Sequence, residues 1–185
     1  HKPGLEQVLR VGKQWRPRVI AATRHGERLL FRLTFAPEAV AFGCPAEFTL
    51  SWRITGDTVH AELGWARKTA CRIPEALWFG FNANAAPAGW RLRKLDSLID
   101  PLQVISKGNR GLHAVWGAEH VDGLRFATPD AGLLAPGTPR LVSFTDAPAD
   151  PAAGLHVNLW NNTWGTNFPM WYDEDASFSF SWTCA

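Results

Sequence analysis

Hydrophobic and polar positions alternate with a period of two through much of this chain, which is the signature of strands with one buried face. In residues 18–35, Val19, Ala21 and Thr23 alternate before His25-Gly26, and Leu29, Phe31, Leu33 and Phe35 alternate after it, predicting a hairpin. Residues 36–40, APEAV, predict one helical turn with Pro37 near its start. The clearest hairpin covers residues 47–65. Phe48, Leu50, Trp52 and Ile54 share one face, Gly56-Asp57 turns, and Val59, Ala61, Leu63 and Trp65 return. Its Trp residues are expected on the buried face.

Residues 72–81, RIPEALWFGF, predict a central strand, and Glu75 reads as a solvated residue at its start rather than a cleft carboxylate of raised pKa. Trp90 and Leu92 alternate briefly before the break at Asp100-Pro101. Short strands are expected at 112–116, 124–126 and 140–144, and a last alternating strand at 176–182 carries Phe178, Phe180 and Trp182. Many short strands between Gly/Pro turns, with hardly a helix, predict an all-β fold, an antiparallel β-sandwich. The whole chain, 1–185, reads as one domain with 1–14 as a lead-in arm.

Composition narrows the function classes. A net charge of +2, with basic residues scattered, gives no footprint for nucleic acid or an anionic membrane. No apolar run has the length of a transmembrane helix, and no signal peptide pattern opens the chain. Cys44, Cys71 and Cys184 are far apart and lack CxxC spacing, so three reduced, mostly buried thiols are expected rather than zinc ligands, with one disulfide and a spare thiol as the alternative. That usage leans cytoplasmic.

Ten Trp against one Tyr directs attention to residues 156–172, HVNLWNNTWGTNFPMWY. Aromatic faces interleaved with side-chain amides suit a surface that stacks on a ring and hydrogen-bonds its edges. Asn158, Asn161, Asn162, Trp164, Asn167 and Trp171 are therefore the candidate carbohydrate-binding residues. Trp160, Trp164 and Trp171 fit a packed core equally as a class, since Trp is highly buried on average. Arg110 and His113 join the candidates, because KGNRG at 107–111 and the following His suit an anionic or hydroxyl-rich ligand as well as a solvated turn.

Chemistry of the chain's own is not predicted. There is no G-x-S-x-G, no phosphate-cradling Gly-rich loop and no His/Asp zinc cluster. Asp173, Glu174 and Asp175 are the first candidates for glycosidase carboxyls, but adjacent strand positions point in opposite directions and a solvated turn is the simpler reading. No catalytic residue, metal site or cofactor is expected. A copper site at His1 with a second His is a distant alternative, set against His1 as the remnant of a trimmed tag.

The runs RIPEALWFGF (72–81), WRLRKL (90–95), IDPLQVISKGNRGLHAV (99–115) and LHVNLWNNTWGTNFPMWYDEDASFSF (155–180) resemble the C-terminal part of the family called domain of unknown function 5054. The N-terminal portion of that family is similar to the catalytic barrel of glycoside hydrolase family 38 α-mannosidases. The resemblance covers most of the chain, more weakly before Arg72. It implies a β-sandwich similar to part of a galactose-mutarotase-like supersandwich, whose partner is an N-terminal catalytic domain of the same protein. The zinc ligands and nucleophilic Asp of the α-mannosidase group belong to that barrel. The resemblance also implies that Asn161, Asn162, Trp164 and Asn167 face a sugar cleft, and that residues 1–185 are a fragment or one chain of a processed enzyme. This is fold-level analogy.

Two readings follow. As a non-catalytic domain of a mannosidase-like glycoside hydrolase, helping to shape a sugar site, the chain is expected to carry a broad apolar docking face. As a stand-alone carbohydrate-binding module, it is expected to present exposed Trp platforms on a polar surface.

Overall fold

The computed structural model describes residues 12–141, 147–163 and 170–184. Its strands are β1 (Arg18–His25), β2 (Arg28–Thr34), β3 (Glu47–Thr55), β4 (Thr58–Trp65), β5 (Ala76–Phe81), β6 (Trp90–Lys94) and β7 (Ser97–Ile99). They continue with β8 (His113–Ala114), β9 (Gly117–His120), β10 (Leu124–Ala127), β11 (Leu133–Pro136), β12 (Leu155–Asn161) and β13 (Ala176–Cys184). One helical turn, α1 (Pro37–Ala41), carries Pro at its start as expected. A nine-stranded sheet has the order β1-β2-β3-β4-β13-β10-β9-β6-β7, and a four-stranded sheet the order β5-β12-β11-β8. The strands are mostly antiparallel and the fold is an all-β sandwich, as the period-two pattern predicts.

Contacts along the chain cluster into two compact units. The first comprises His1–Arg53, Ala61–Ala76 and Asn161–Ser177. Its core holds Phe48, Ala61, Leu63 and Trp65, with Phe35 and Trp65 both edge-on to Phe48 at centroid distances of 4.9 and 6.0 Å. Burial falls away along β3, so that Ile54, placed on the same face as Phe48 by alternation, is 63% exposed. The turn between β3 and β4 relies on Gly56 at φ +59°, a left-handed conformation that side chains resist.

A polar knot replaces the solvated Glu75 of the sequence reading. Lys68 is fully buried and its ammonium donates to Glu75 Oε1 at 2.8 Å, to the Tyr172 carbonyl at 3.0 Å and to the Thr69 carbonyl at 3.2 Å. A buried ammonium needs a counter-charge and satisfied donors, and Glu75 supplies the charge. Cys44 lies close enough to feel both groups. Burial first, and then the Glu75 charge, push its thiol up to about 12, against the pull of Lys68. It is an inert thiol at neutral pH.

The second unit comprises Ile54–His60, Leu77–Trp160 and Phe178–Ala185. Phe79 of β5 stacks on Phe180 of β13 at 4.4 Å, and Phe81 meets Trp90, Phe126 and Trp182 at 6.4, 4.4 and 5.3 Å. These contacts join the two sheets, each aromatic pair contributing about 1 kcal/mol beyond area burial. The expected central strand at 72–81 is shorter than its apolar run and is an edge strand of the smaller sheet. Phe79 and Phe81 pack against core aromatics although the β5 backbone has a strand on one side only. Arg140 and Leu141 are not in a strand, and the rest of the strand expected at 140–144 lies outside the described residues. All three cysteines are unpaired, with Cys184 exposed rather than buried.

Candidate functional site

The residues singled out in the sequence fall in both units. Asn161, Asn162 and Trp171 belong to the first. Asn162 is 5% exposed and its amide serves the backbone: Oδ1 accepts from Glu75 N–H at 2.7 Å, while Nδ2 donates to the carbonyls of Cys71, Ile73 and Met170, each at 3.0 Å. It ties the segment before β5 to the segment before β13. This geometry corrects the expectation that Asn162 faces sugar hydroxyls, because its polar atoms are enclosed and already bonded. Asn161 is half-buried, with Oδ1 accepting from Thr163 Oγ1 at 3.2 Å. Trp171 is exposed and lies 5.4 Å from the Arg72 guanidinium in a cation–π contact. Trp164 and Asn167 lie outside the described residues.

Asn158, Arg110 and His113 belong to the second unit. Asn158 is buried and donates to the carbonyls of Leu77 at 3.1 Å and Trp160 at 3.3 Å. Like Asn162, it is withdrawn from solvent, which corrects its placement among surface contacts. Arg110 is half-buried after the Asn109 turn, where Asn109 Oδ1 accepts from the N–H groups of Gly111 and Leu112. His113 is 4% exposed, and its Nε2 has no hydrogen-bond partner among the described residues. Burial, and secondarily the Lys94 charge, hold its pKa below the usual imidazole value, opposed by a hydrogen bond with the Arg110 backbone. It is a neutral core histidine.

Asp173, Glu174 and Asp175 are exposed in the irregular segment before β13. The Asp175 carboxylate accepts from Arg67 N–H at 2.7 Å, and the Glu174 carbonyl accepts from Trp65 Nε1 at 3.2 Å. Among the described residues no group of three or more His, Cys, Asp or Glu is placed to hold a metal ion. His1, the copper alternative, lies outside the described residues.

A surface that the sequence reading did not assemble lies on the outer face of β6, β9, β10 and β13. Strand register places Leu92, Ala118, Phe126 and Trp182 in one cross-strand row, all buried. The flanking rows face the other way. One consists of Arg93, Gly117, Ala127 and Ser181, and the next of Arg91, Glu119, Arg125 and Thr183. The first row is small at three of its positions, leaving a depression of about 300 Å³ between larger side chains. Trp116, 60% exposed, stands at its margin with Arg93, Glu119, Arg125 and Thr183.

Backbone bonds fix this margin. Trp116 N–H donates to the Arg93 carbonyl at 2.9 Å, and the Trp116 carbonyl accepts from Thr128 N–H at 3.2 Å. Gly117 is required at the floor, since a Cβ there would come within 2.1 Å of the Phe126 carbonyl oxygen. Arg93 forms an ion pair with Glu119. Arg125 lies opposite Glu119 in register, yet it has no ion-pair partner among the described residues. An exposed indole face, two hydroxyls, a carboxylate and two guanidiniums can stack on an apolar ring face and hydrogen-bond polar groups at its edge. The sequence held one signal for this surface, the outward alternation Arg91/Arg93 and Arg125/Ala127. The strand register that aligns them was not readable. No family model and no curated protein matches the chain.

Proposed function

We propose that this chain is a non-catalytic β-sandwich domain that binds carbohydrate beside the catalytic barrel of a mannosidase-like glycoside hydrolase. The observation that carries the binding reading is the depression bordered by Trp116. Its volume of about 300 Å³ lies at the lower end for ligand pockets, suiting one or two sugar rings. The indole supplies a stacking face, and Ser181, Thr183, Glu119 and the arginines supply edge contacts. Attachment to a barrel rests on the resemblance to domain of unknown function 5054. It is supported by the apolar side chains Val19, Ile20 and Leu29 on β1 and β2, all more than 40% exposed.

The stand-alone module reading is favoured by the same exposed Trp116, and it differs only in needing no barrel. Trp116→Ala separates a sugar platform from an incidental surface Trp. Binding of neutral and acidic oligosaccharides, measured by titration calorimetry, is expected to weaken about fivefold or more, with stacking of this kind contributing about 1 kcal/mol or more. The thermal midpoint is expected to stay within about 2 °C, because an exposed side chain away from core contacts changes stability little. Trp171→Ala serves as the comparison. If Trp171→Ala abolishes binding and Trp116→Ala does not, the sugar surface belongs to the Trp-rich stretch instead.

A further inference from the structure

The depression carries a charge imbalance that selects among sugars. Two guanidiniums, Arg93 and Arg125, border it against one carboxylate, Glu119. The ion pair of Arg93 with Glu119 neutralises one cation and leaves Arg125. Arg125 is exposed on β10, between Glu119 of β9 and Thr183 of β13 in register. Glu119 is directly opposite, and yet the carboxylate turns to Arg93. Arg125 therefore presents a rigid fork of donors to the depression with no acceptor taken from the carboxylates of the described residues.

A neutral sugar would leave that fork facing only hydroxyls. A ring bearing a carboxylate supplies the bidentate acceptor that guanidinium geometry favours, and it balances the net positive charge of the site. The apolar face of the same ring is available to Trp116, and its hydroxyls to Ser181 and Thr183. We propose that the site takes an acidic sugar, a hexuronate residue of an oligosaccharide, with Trp116 as platform and Arg125 as the carboxylate partner. This rests on the carbohydrate reading of the Trp116 depression and specifies its ligand class.

The test uses the full chain and matched probes: dimers to tetramers of glucuronate, galacturonate and mannuronate, each beside its neutral glucose, galactose or mannose counterpart. Calorimetric titrations run at low salt and at 0.3 M NaCl. At least one uronate series is expected to bind about tenfold or more tighter than its neutral counterpart, as a charge-assisted pair would give. That advantage is expected to shrink at high salt and to disappear in Arg125→Gln, while Trp116→Ala weakens the bound series itself.

Neutral oligomers binding as tightly as their uronate counterparts, with loss in Trp116→Ala, would overturn the acidic-sugar assignment and leave the carbohydrate reading standing. Binding of no oligomer at all would overturn both. Uronate binding insensitive to Arg125→Gln, or equally strong for simple carboxylates such as acetate, would also overturn the assignment. Both substituted positions are exposed, so the variants are expected to fold. Unchanged thermal midpoints provide the check.

Discussion

Replacing Asn162 by Ala tests whether this residue is a strut, as its geometry indicates, or a ligand contact, as its neighbours in sequence imply. The Asn162 amide lies within 2.7–3.0 Å of one backbone N–H and three backbone carbonyls. An amide nitrogen has two hydrogens, so the three carbonyls share two full bonds, and with Oδ1 the side chain makes about three in all. At about 1 kcal/mol net for each bond, removal costs about 3 kcal/mol. Leaving the Glu75 N–H and the carbonyls enclosed without partners raises the cost, whereas water entering the space left by the amide lowers it.

For a chain of this size the loss corresponds to a drop of roughly 6–12 °C in the thermal midpoint, taking about 2–4 °C per kcal/mol. Urea unfolding is the assay of choice. The midpoint should fall and the slope stay unchanged, since the variant alters stability and not the surface exposed on unfolding. A cost below about 0.5 kcal/mol, within the range of ordinary surface substitutions, would refute the strut and reopen a binding role for Asn162.

Two further predictions concern buried charge and buried neutrality. Lys68→Met leaves the Glu75 carboxylate without its counter-charge, and Glu75→Gln leaves the Lys68 ammonium buried without its own. Each is expected to cost about 3–5 kcal/mol in urea unfolding, with the double variant costing clearly less than the sum. Additive losses would show that the two groups do not act as a pair. Burial holds His113 and His156 below the usual imidazole pKa of 6.5, so both remain neutral in the fold where the unfolded chain would take up protons. The stability they confer is fully present above about pH 6.5 and is lost as pH falls through that value toward their lowered folded pKa values. Unfolding free energies measured from pH 8 to pH 5 should fall with acidity, and less steeply in His113→Asn. An unchanged slope in that variant would remove His113 from the account.

The hairpins were legible because their signal is local. Phe48, Ala61, Leu63, Trp65, Phe178, Phe180 and Trp182 sit inside where alternation puts them, and Gly56 turns where expected. β9 and β11, GAEH and LLAP, were missed because they lack β-branched residues and look like turn material around Gly and Pro. The edge position of β5 was hidden by its own aromatic content. An apolar run reports burial of side chains, and it says nothing of how many neighbours its backbone has. Asn158 and Asn162 misled for a related reason. The same amide that bonds a sugar hydroxyl bonds a buried carbonyl, and composition cannot distinguish these acceptors.

Trp116 shows the converse. In the sequence it closes the strand expected at 112–116 beside Val115, and the fold leaves it exposed while Val115 is buried. What makes it a candidate platform is contributed by other strands: Arg93 from β6, Arg125 from β10, and Ser181 and Thr183 from β13. A shift of one residue in any of these pairings would turn Leu92, Phe126 or Trp182 outward and the polar rows inward. The core row and the outer site are therefore two consequences of one register. The aromatic packing that stabilises Phe126 and Trp182 inside is also what holds Arg125 and Thr183 at the depression. A ligand there depends on the interior of the sandwich without touching it.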